Sequence, residues 1–246
     1  MVILDLNCDL GEGCGQDEAL MPLISSANIA CGGHAGDHAS MVETVALALH
    51  HGVAIGAHPG YRDPAHFGRR ELRMDSPTLK REIQQQIEAL REVAEAQGAQ
   101  LHHVKAHGAL YNQSAREPEY AQALIEAVLA VEPRLKLYAL AGSPLVAHAR
   151  QADLEVVEEV FADRRYRPDG ALVPRVCADA LIEQADQAIA QVRQMVLRRQ
   201  VVASDGSLVP IQADTLCLHG DGAQALPFAQ NIREWMQHQR VELRAP

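Results

Sequence analysis

No stretch of this 246-residue sequence approaches 18 consecutive apolar residues, so a transmembrane helix is not expected. The opening Met1-Val-Ile-Leu-Asp5 has no basic segment followed by an apolar run, and no signal peptide is read there. Positive charge is in deficit: 22 Lys and Arg stand against 32 Asp and Glu, a formal net charge of −10. Nucleic acid and anionic membrane surfaces would repel such a chain and are not expected as partners. The five cysteines, Cys8, Cys14, Cys31, Cys177 and Cys217, are odd in number and form no C-x-x-C pair. They read as reduced thiols of a cytoplasmic protein rather than a disulfide framework or a zinc knuckle. Linkers rich in Pro, Gly or Ser, repeats and low-complexity tracts are also missing, so one domain over 1–246 is expected.

Short apolar runs alternate with longer stretches of helical period. Strands are expected at Val2–Cys8, Ala27–Cys31, Val53–Ala57, Leu101–Val104, Leu135–Leu140, Val156–Phe161 and Thr215–Leu218. Helices are expected near 39–51, 77–97, 117–131, 144–151, 179–200 and 223–238. Ser76-Pro77 and Ser143-Pro144 place a serine N-cap before a first-turn proline, and Gly98 ends its helix. The segment 203–208 reads as the turn of a hairpin. Strand-helix alternation implies a parallel sheet, because a parallel neighbour is reached only through a crossover. Seven such units suggest a closed or nearly closed α/β barrel, with an open doubly wound sheet as the competing architecture. Ligands sit beyond the carboxyl ends of the strands in either case.

The residues at those ends are polar. The first strand runs into Asn7, Asp9 and Glu12, the second into His34 and Asp37, and the third into His58. The fourth ends in Lys105, His107, Tyr111 and Asn112, the sixth in Asp163 and Arg164, and the last in His219 and Asp221. Each has a bland alternative. A single histidine after a strand is usually a loop hydrogen-bonder, and Asp9 is placed to cap a helix. His50, His51, His102 and His103 read as structural. Lys105 is more specific: it is one of only three lysines against nineteen arginines. It follows an apolar strand, where burial is costly without a task such as holding an anion. Gly11-Glu-Gly13-Cys-Gly15 fails the dinucleotide pattern because Gln16 replaces the third glycine, and no G-x-x-x-x-G-K-[ST] occurs.

Taken together, these pieces resemble the LamB/YcsF family, the A subunit of prokaryotic ATP-dependent 5-oxoprolinase. The resemblance rests on 5–13, Ala27-Asn28-Ile-Ala-Cys31, His34-Ala-Gly-Asp37, Gly56-Ala-His58-Pro-Gly60 and Phe67-Gly-Arg69-Arg70. It continues through His103-Val-Lys105, His107 to Asn112, Phe161 to Arg164, Asp169-Gly170, Pro174-Arg175 and His219-Gly-Asp221. Ala106 departs from the family's usual proline and Gly33 from an aromatic. The resemblance implies a distorted TIM-like barrel of (β/α)7 type, akin to glycoside hydrolases and deacetylases. It also implies opening of 5-oxo-L-proline to L-glutamate coupled to ATP, with partner subunits B and C. Asp9, His58, Lys105, His107 and His219 are then the catalytic candidates. Asn7, Glu12, His34, Asp37, Arg69, Tyr111, Asn112, Asp163, Arg175 and Asp221 are the substrate-binding ones. ATP enters as co-substrate, held mainly by the partners since no nucleotide motif is readable, and homo-oligomers are compatible with the sequence. Two alternatives stay open: a metal-dependent deacetylase or amidohydrolase using Asp9, His58 and His107, and a non-catalytic substrate-binding subunit. No H-E-x-x-H spacing supports the metal, and none is expected.

Overall fold

Alternation of period two along the first strand sets the architecture. In β1 (Ile3–Leu10), Leu4, Leu6, Cys8 and Leu10 alternate with Asp5, Asn7 and Asp9, and all seven are buried. The apolar set joins the hydrophobic core beneath the helices, and the polar set faces across the barrel interior. The computed structural model describes residues 2–219, 222 and 225–246, with only the backbone of His219. Strands β2 (Ser26–Ala30), β3 (Ala54–His58), β4 (His103–Lys105), β5 (Lys136–Leu140) and β6 (Val156–Phe161) follow β1 in order, each parallel to its predecessor. A short hairpin, β7 (Gln200–Val202) and β8 (Leu208–Pro210), precedes β9 (Thr215–His219). Strand β9 pairs in parallel with both β6 and β1 and closes a seven-stranded barrel. A two-residue strand, β10 (Glu242–Leu243), adds to β1 at Ile3 and Leu4.

The crossover helices are α1 (Asp17–Leu20), α2 (His38–His51), α3 (Ser76–Ala96), α4 (Gly108–Arg116), α5 (Pro118–Val131), α6 (Pro144–Gln151), α7 (Ala185–Arg198) and α8 (Ala225–Gln239). No helix among the described residues is long and apolar enough to cross a membrane. The expected barrel, hairpin and six long helices are present, while α1 and α4 were not anticipated. Helix α4 was hidden because its first residues are the polar strand-end residues themselves. The helix expected from 179 starts only at Ala185, since Leu181 bridges to Arg164 and the Ile182 amide donates to the Asp163 carbonyl. Two caps also differ. Helix α3 is capped by Asp75, which accepts from the Thr78 amide at 3.0 Å, with Ser76 already helical. Ser143 stands at the cap of α6, but its hydroxyl caps nothing.

The narrow barrel interior is filled with polar groups and made roomy at one point by glycine. A Cβ on Gly56 of β3 would lie 2.1 Å from Nε2 of His103 and 2.3 Å from its Cδ2. The imidazole therefore occupies space that only glycine leaves, and it stacks on Tyr138 with centroids 4.0 Å apart. Gly33, where the family pattern suggests an aromatic, has similarly little room. A Cβ there would meet the Gly60 carbonyl oxygen at 2.6 Å. Gly56→Ala is expected to destabilise the protein by about 2 kcal/mol through overpacking. The cost should appear as a lower midpoint in thermal unfolding by circular dichroism, partly restored in a Gly56→Ala/His103→Ala double variant.

Candidate functional site

The upper barrel is organised around one buried cation. The Lys105 ammonium, at the end of β4, lies 2.8 Å from Oδ1 of Asp9 and 3.0 Å from Oε1 of Glu159. It also donates to Oδ1 of Asn7 at 3.2 Å and to Sγ of Cys217 at 3.0 Å. Burial opposes the charge, but Asp9, Cys217 and Glu159 outweigh it and push the Lys105 pKa well up. Asn7 expends its amide on Glu159 (2.9 Å) and Thr215 (2.7 Å), and its oxygen accepts from Asn28 at 2.7 Å. Asn28 donates to Asp9 as well, at 2.8 Å, and accepts from His103 at 2.8 Å. This geometry revises two expectations. Lys105 is matched by two carboxylates rather than offered to an anion, and Asn7 is a buried bridge rather than a substrate contact.

A second layer lies just above. His58 ends β3, His107 stands at the N-cap position of α4, His34 follows β2, and Glu12 follows β1. His34 stacks on His107 in parallel, with centroids 3.5 Å apart and planes at 2°, and Phe67 packs its edge against both. Oε1 of Glu12 is 2.9 Å from His34 Nε2, 3.4 Å from His107 Nδ1 and 3.8 Å from His58 Nε2. These four residues bring one ligand atom each to within 4.8 Å of one another. The set differs from the metal-binding alternative drawn from the sequence. Glu12 and His34 belong to it, whereas Asp9 turns Oδ1 to Lys105 and only approaches His58 Nε2 with Oδ2, at 3.4 Å. Burial drives the His34 pKa down to about 2 and that of His107 well below its usual value. The Gly11–Gly15 loop thus presents a carboxylate, the opposite of a phosphate cradle. Its glycines at 11, 13 and 15 all have positive φ.

Beside this layer opens a cavity of about 900 Å³ at the carboxyl ends of the strands. Asp9, His58 and His107 form part of its lining, with Tyr111 and Asn112 of α4 on another side. Five arginines, Arg69, Arg116, Arg164, Arg167 and Arg175, bring positive charge to its wall. Arg164 is buried and donates to the Val173 carbonyl at 2.7 Å, and burial lowers its pKa to about 10. The Tyr111 hydroxyl is buried, with the Glu159 carboxylate as its charged neighbour. Burial and then the Glu159 charge push its pKa well up, so it remains a donor. Asn112 turns its amide back to the Gly108 carbonyl at 2.9 Å.

Not every candidate reaches this centre. Asp37 is exposed and caps α2 through a reciprocal pair with Ser40, at 2.9 and 2.8 Å. Asp163 is half-buried beside Arg164 and does not line the cavity. The His219 side chain and Asp221 lie outside the described residues, though the His219 backbone pairs opposite Asp9. Sequence reasoning missed Asn28 and Glu159, and it set His103 aside as structural. A glutamate pair inside the otherwise apolar Val156–Phe161 was the available signal for Glu159.

Two outcomes test this layout. Lys105→Met should cost about 3–5 kcal/mol in urea unfolding, because it leaves Asp9 and Glu159 buried and uncompensated. Stability should also fall as pH drops from 7 to 5. His34, His103 and His107 are held neutral in the fold, with lowered pKa values, but gain protons near pH 6.5 once unfolded. Their contribution is therefore complete above that pH and lost below it. His103→Gln should shallow the slope of urea midpoint against pH.

The LamB/YcsF family model matches residues 4–246. A solved lactam utilization protein from Thermus thermophilus is 42% identical over 100% of both chains, with a TM-score of 0.93. Two more distant structures share the fold alone. A putative cellobiose-phosphate cleavage protein from Enterococcus faecalis is 12% identical, with a TM-score of 0.56 over 98% of this chain and 96% of the other. A family 4 carbohydrate esterase from Streptomyces lividans is 12% identical, with a TM-score of 0.52 over 98% and 91%. With a match from the first barrel strand to the last residue, the chain belongs to the LamB/YcsF family.

Proposed function

We propose that this chain is the A subunit of a prokaryotic ATP-dependent 5-oxoprolinase and carries out the hydrolytic half of lactam opening. One observation carries the proposal. In a chain 42% identical to a lactam utilization protein, the cavity joins a carboxylate and histidine floor to an arginine wall. A five-membered lactam is a poor electrophile. Transfer of the γ-phosphoryl group of ATP to its carbonyl oxygen would make the ring carbon open to water. The arginines suit the resulting anion, and Arg175 and Arg164 take the role first expected of Lys105.

Asp9 is the residue suited to accept the proton of the attacking water. Asn28 and Lys105 hold its Oδ1, which directs Oδ2 toward the cavity side of the cluster, 3.4 Å from His58. Water adds to the ring carbon, the ring nitrogen takes up a proton, and the C–N bond breaks. The product is an acyl phosphate, and a second water converts it to the carboxylate and phosphate. Tyr111 supplies a buried hydroxyl to orient the substrate. Subunits B and C are the partners of this reading, and the nucleotide is assigned chiefly to them. The cytoplasm is the matching compartment.

The test supplies 5-oxo-L-proline and ATP to the chain alone and to the set with B and C, and measures glutamate and phosphate. The complete set should release both. Asp9→Asn should lower kcat by about 10²-fold or more, and Tyr111→Phe should mainly raise KM. Glutamate missing from every combination of folded subunits would overturn the assignment.

A further inference from the structure

The hydrogen bonds of two imidazoles leave a contradiction that a cation resolves. His58 Nδ1 is 2.8 Å from the Lys105 carbonyl oxygen, and His107 Nε2 is 2.9 Å from that of Phe67. A carbonyl can only accept, so each neutral ring carries its proton on that nitrogen. The opposite nitrogens, His58 Nε2 and His107 Nδ1, are then both bare lone pairs. They face each other at 3.0 Å. Glu12 Oε1, also an acceptor, lies 3.4 Å from one and 3.8 Å from the other. A single shared proton could join the two rings but would serve one contact only.

We propose that Glu12, His58 and His107 form a binding site for one divalent transition-metal ion of the zinc class, with water as the fourth ligand. His34, stacked face to face on His107, cannot aim a lone pair at the same ion and instead hydrogen-bonds to Glu12 at 2.9 Å. Among the ligand atoms of Glu12, His58 and His107 the separations of 3.0, 3.4 and 3.8 Å surround the value such an ion requires. Bonds of about 2.1 Å in tetrahedral array place ligand atoms about 3.4 Å apart. Two imidazole nitrogens and one carboxylate oxygen favour zinc over magnesium or calcium, which prefer all-oxygen shells. The backbone carbonyls of Lys105 and Phe67 are the outer partners that fix the ligating tautomers of His58 and His107. Glycine holds the rings in place. A Cβ on Gly60 would lie 2.7 Å from His34 Nδ1, and one on Gly68 would lie 2.7 Å from His34 Cβ and 3.1 Å from His107 Cδ2.

The three ligands come from three different strand ends, so no local spacing motif could announce them. His58 and His107 also line the cavity, which gives the ion a route in. An ion there would polarise a carbonyl oxygen or acidify a bound water. The site stands whichever amide the cavity accepts, and its test needs neither substrate nor partner subunits.

The full chain, stripped with a chelator, would be titrated with Zn²⁺ in competition with a chromogenic chelator and, separately, with Co²⁺. One equivalent of Zn²⁺ and the intense visible bands of tetrahedral Co²⁺ are expected. Glu12→Gln and His107→Ala should each weaken Zn²⁺ binding by about 100-fold or more. A His50→Ala/His51→Ala variant, which removes the adjacent pair on α2, should bind normally. The proposal is overturned by absence of binding, by octahedral Co²⁺ spectra, or by loss of the equivalent with the His50/His51 pair. If the cluster variants do not fold by circular dichroism, the wild-type stoichiometry and Co²⁺ spectrum decide alone. Normal metal binding with no glutamate formation would count against the lactam assignment and leave the metal site standing.

Discussion

An ammonium group buried between two carboxylates is the constraint on which the rest of this barrel depends. Lys105 cannot be charged in the interior without Asp9 and Glu159, and those carboxylates cannot be charged there without Lys105. Their residual hydrogen-bonding capacity recruits Asn7 and Asn28, and Asn7 in turn reaches Asp5 through Thr215. Asp5 is met by four hydroxyls, from Ser25, Ser26, Tyr138 and Thr215. Burial still raises its pKa. A continuous polar column thus runs through the barrel, while the apolar core lies in the shell between strands and helices. Of β1, one face is assigned to each.

This division explains how the site is held rigid. The lower column fixes Asp9 from beneath through Asn28 and Lys105. The backbone carbonyls of Lys105 and Phe67 fix His58 and His107 from the side. Rigid strand ends then present their groups to a cavity whose arginines lie largely on the loops around it. Placement is therefore tight at the strand ends and more permissive toward the cavity wall.

Much of this was legible in the chain. Strand-helix alternation gave seven barrel strands, and Val156–Phe161 and 144–151 were read with their observed bounds. Asp9, His58, Lys105 and His107 were singled out because polar residues at the ends of apolar strands share one side of a barrel. What local pattern could not supply was the distinction between groups that face the cavity and groups that support them. Asn7 looks like a ligand contact in sequence, yet it is saturated from within. Lys105, although it reaches the cavity lining, is matched by Asp9 and Glu159. Asp37 has the same strand-end position, but its spacing to Ser40 makes it a helix cap. Glu159 and Asn28 went unnoticed because their partners lie 152 and 75 residues away, in Asn7 and His103. Helix α4 was hidden for a related reason, since its opening residues carry the site.

Barrel closure through β9 has a consequence for folding. An ordinary core, left open along one seam, exposes apolar surface and invites aggregation. Here the seam between β1 and β9 would uncover Asn7, Thr215 and their charged neighbours, groups that water solvates well. Closing the barrel there exchanges water for internal ion pairs and hydrogen bonds. That closure is therefore governed by desolvation and ion pairing around Lys105 as much as by apolar burial.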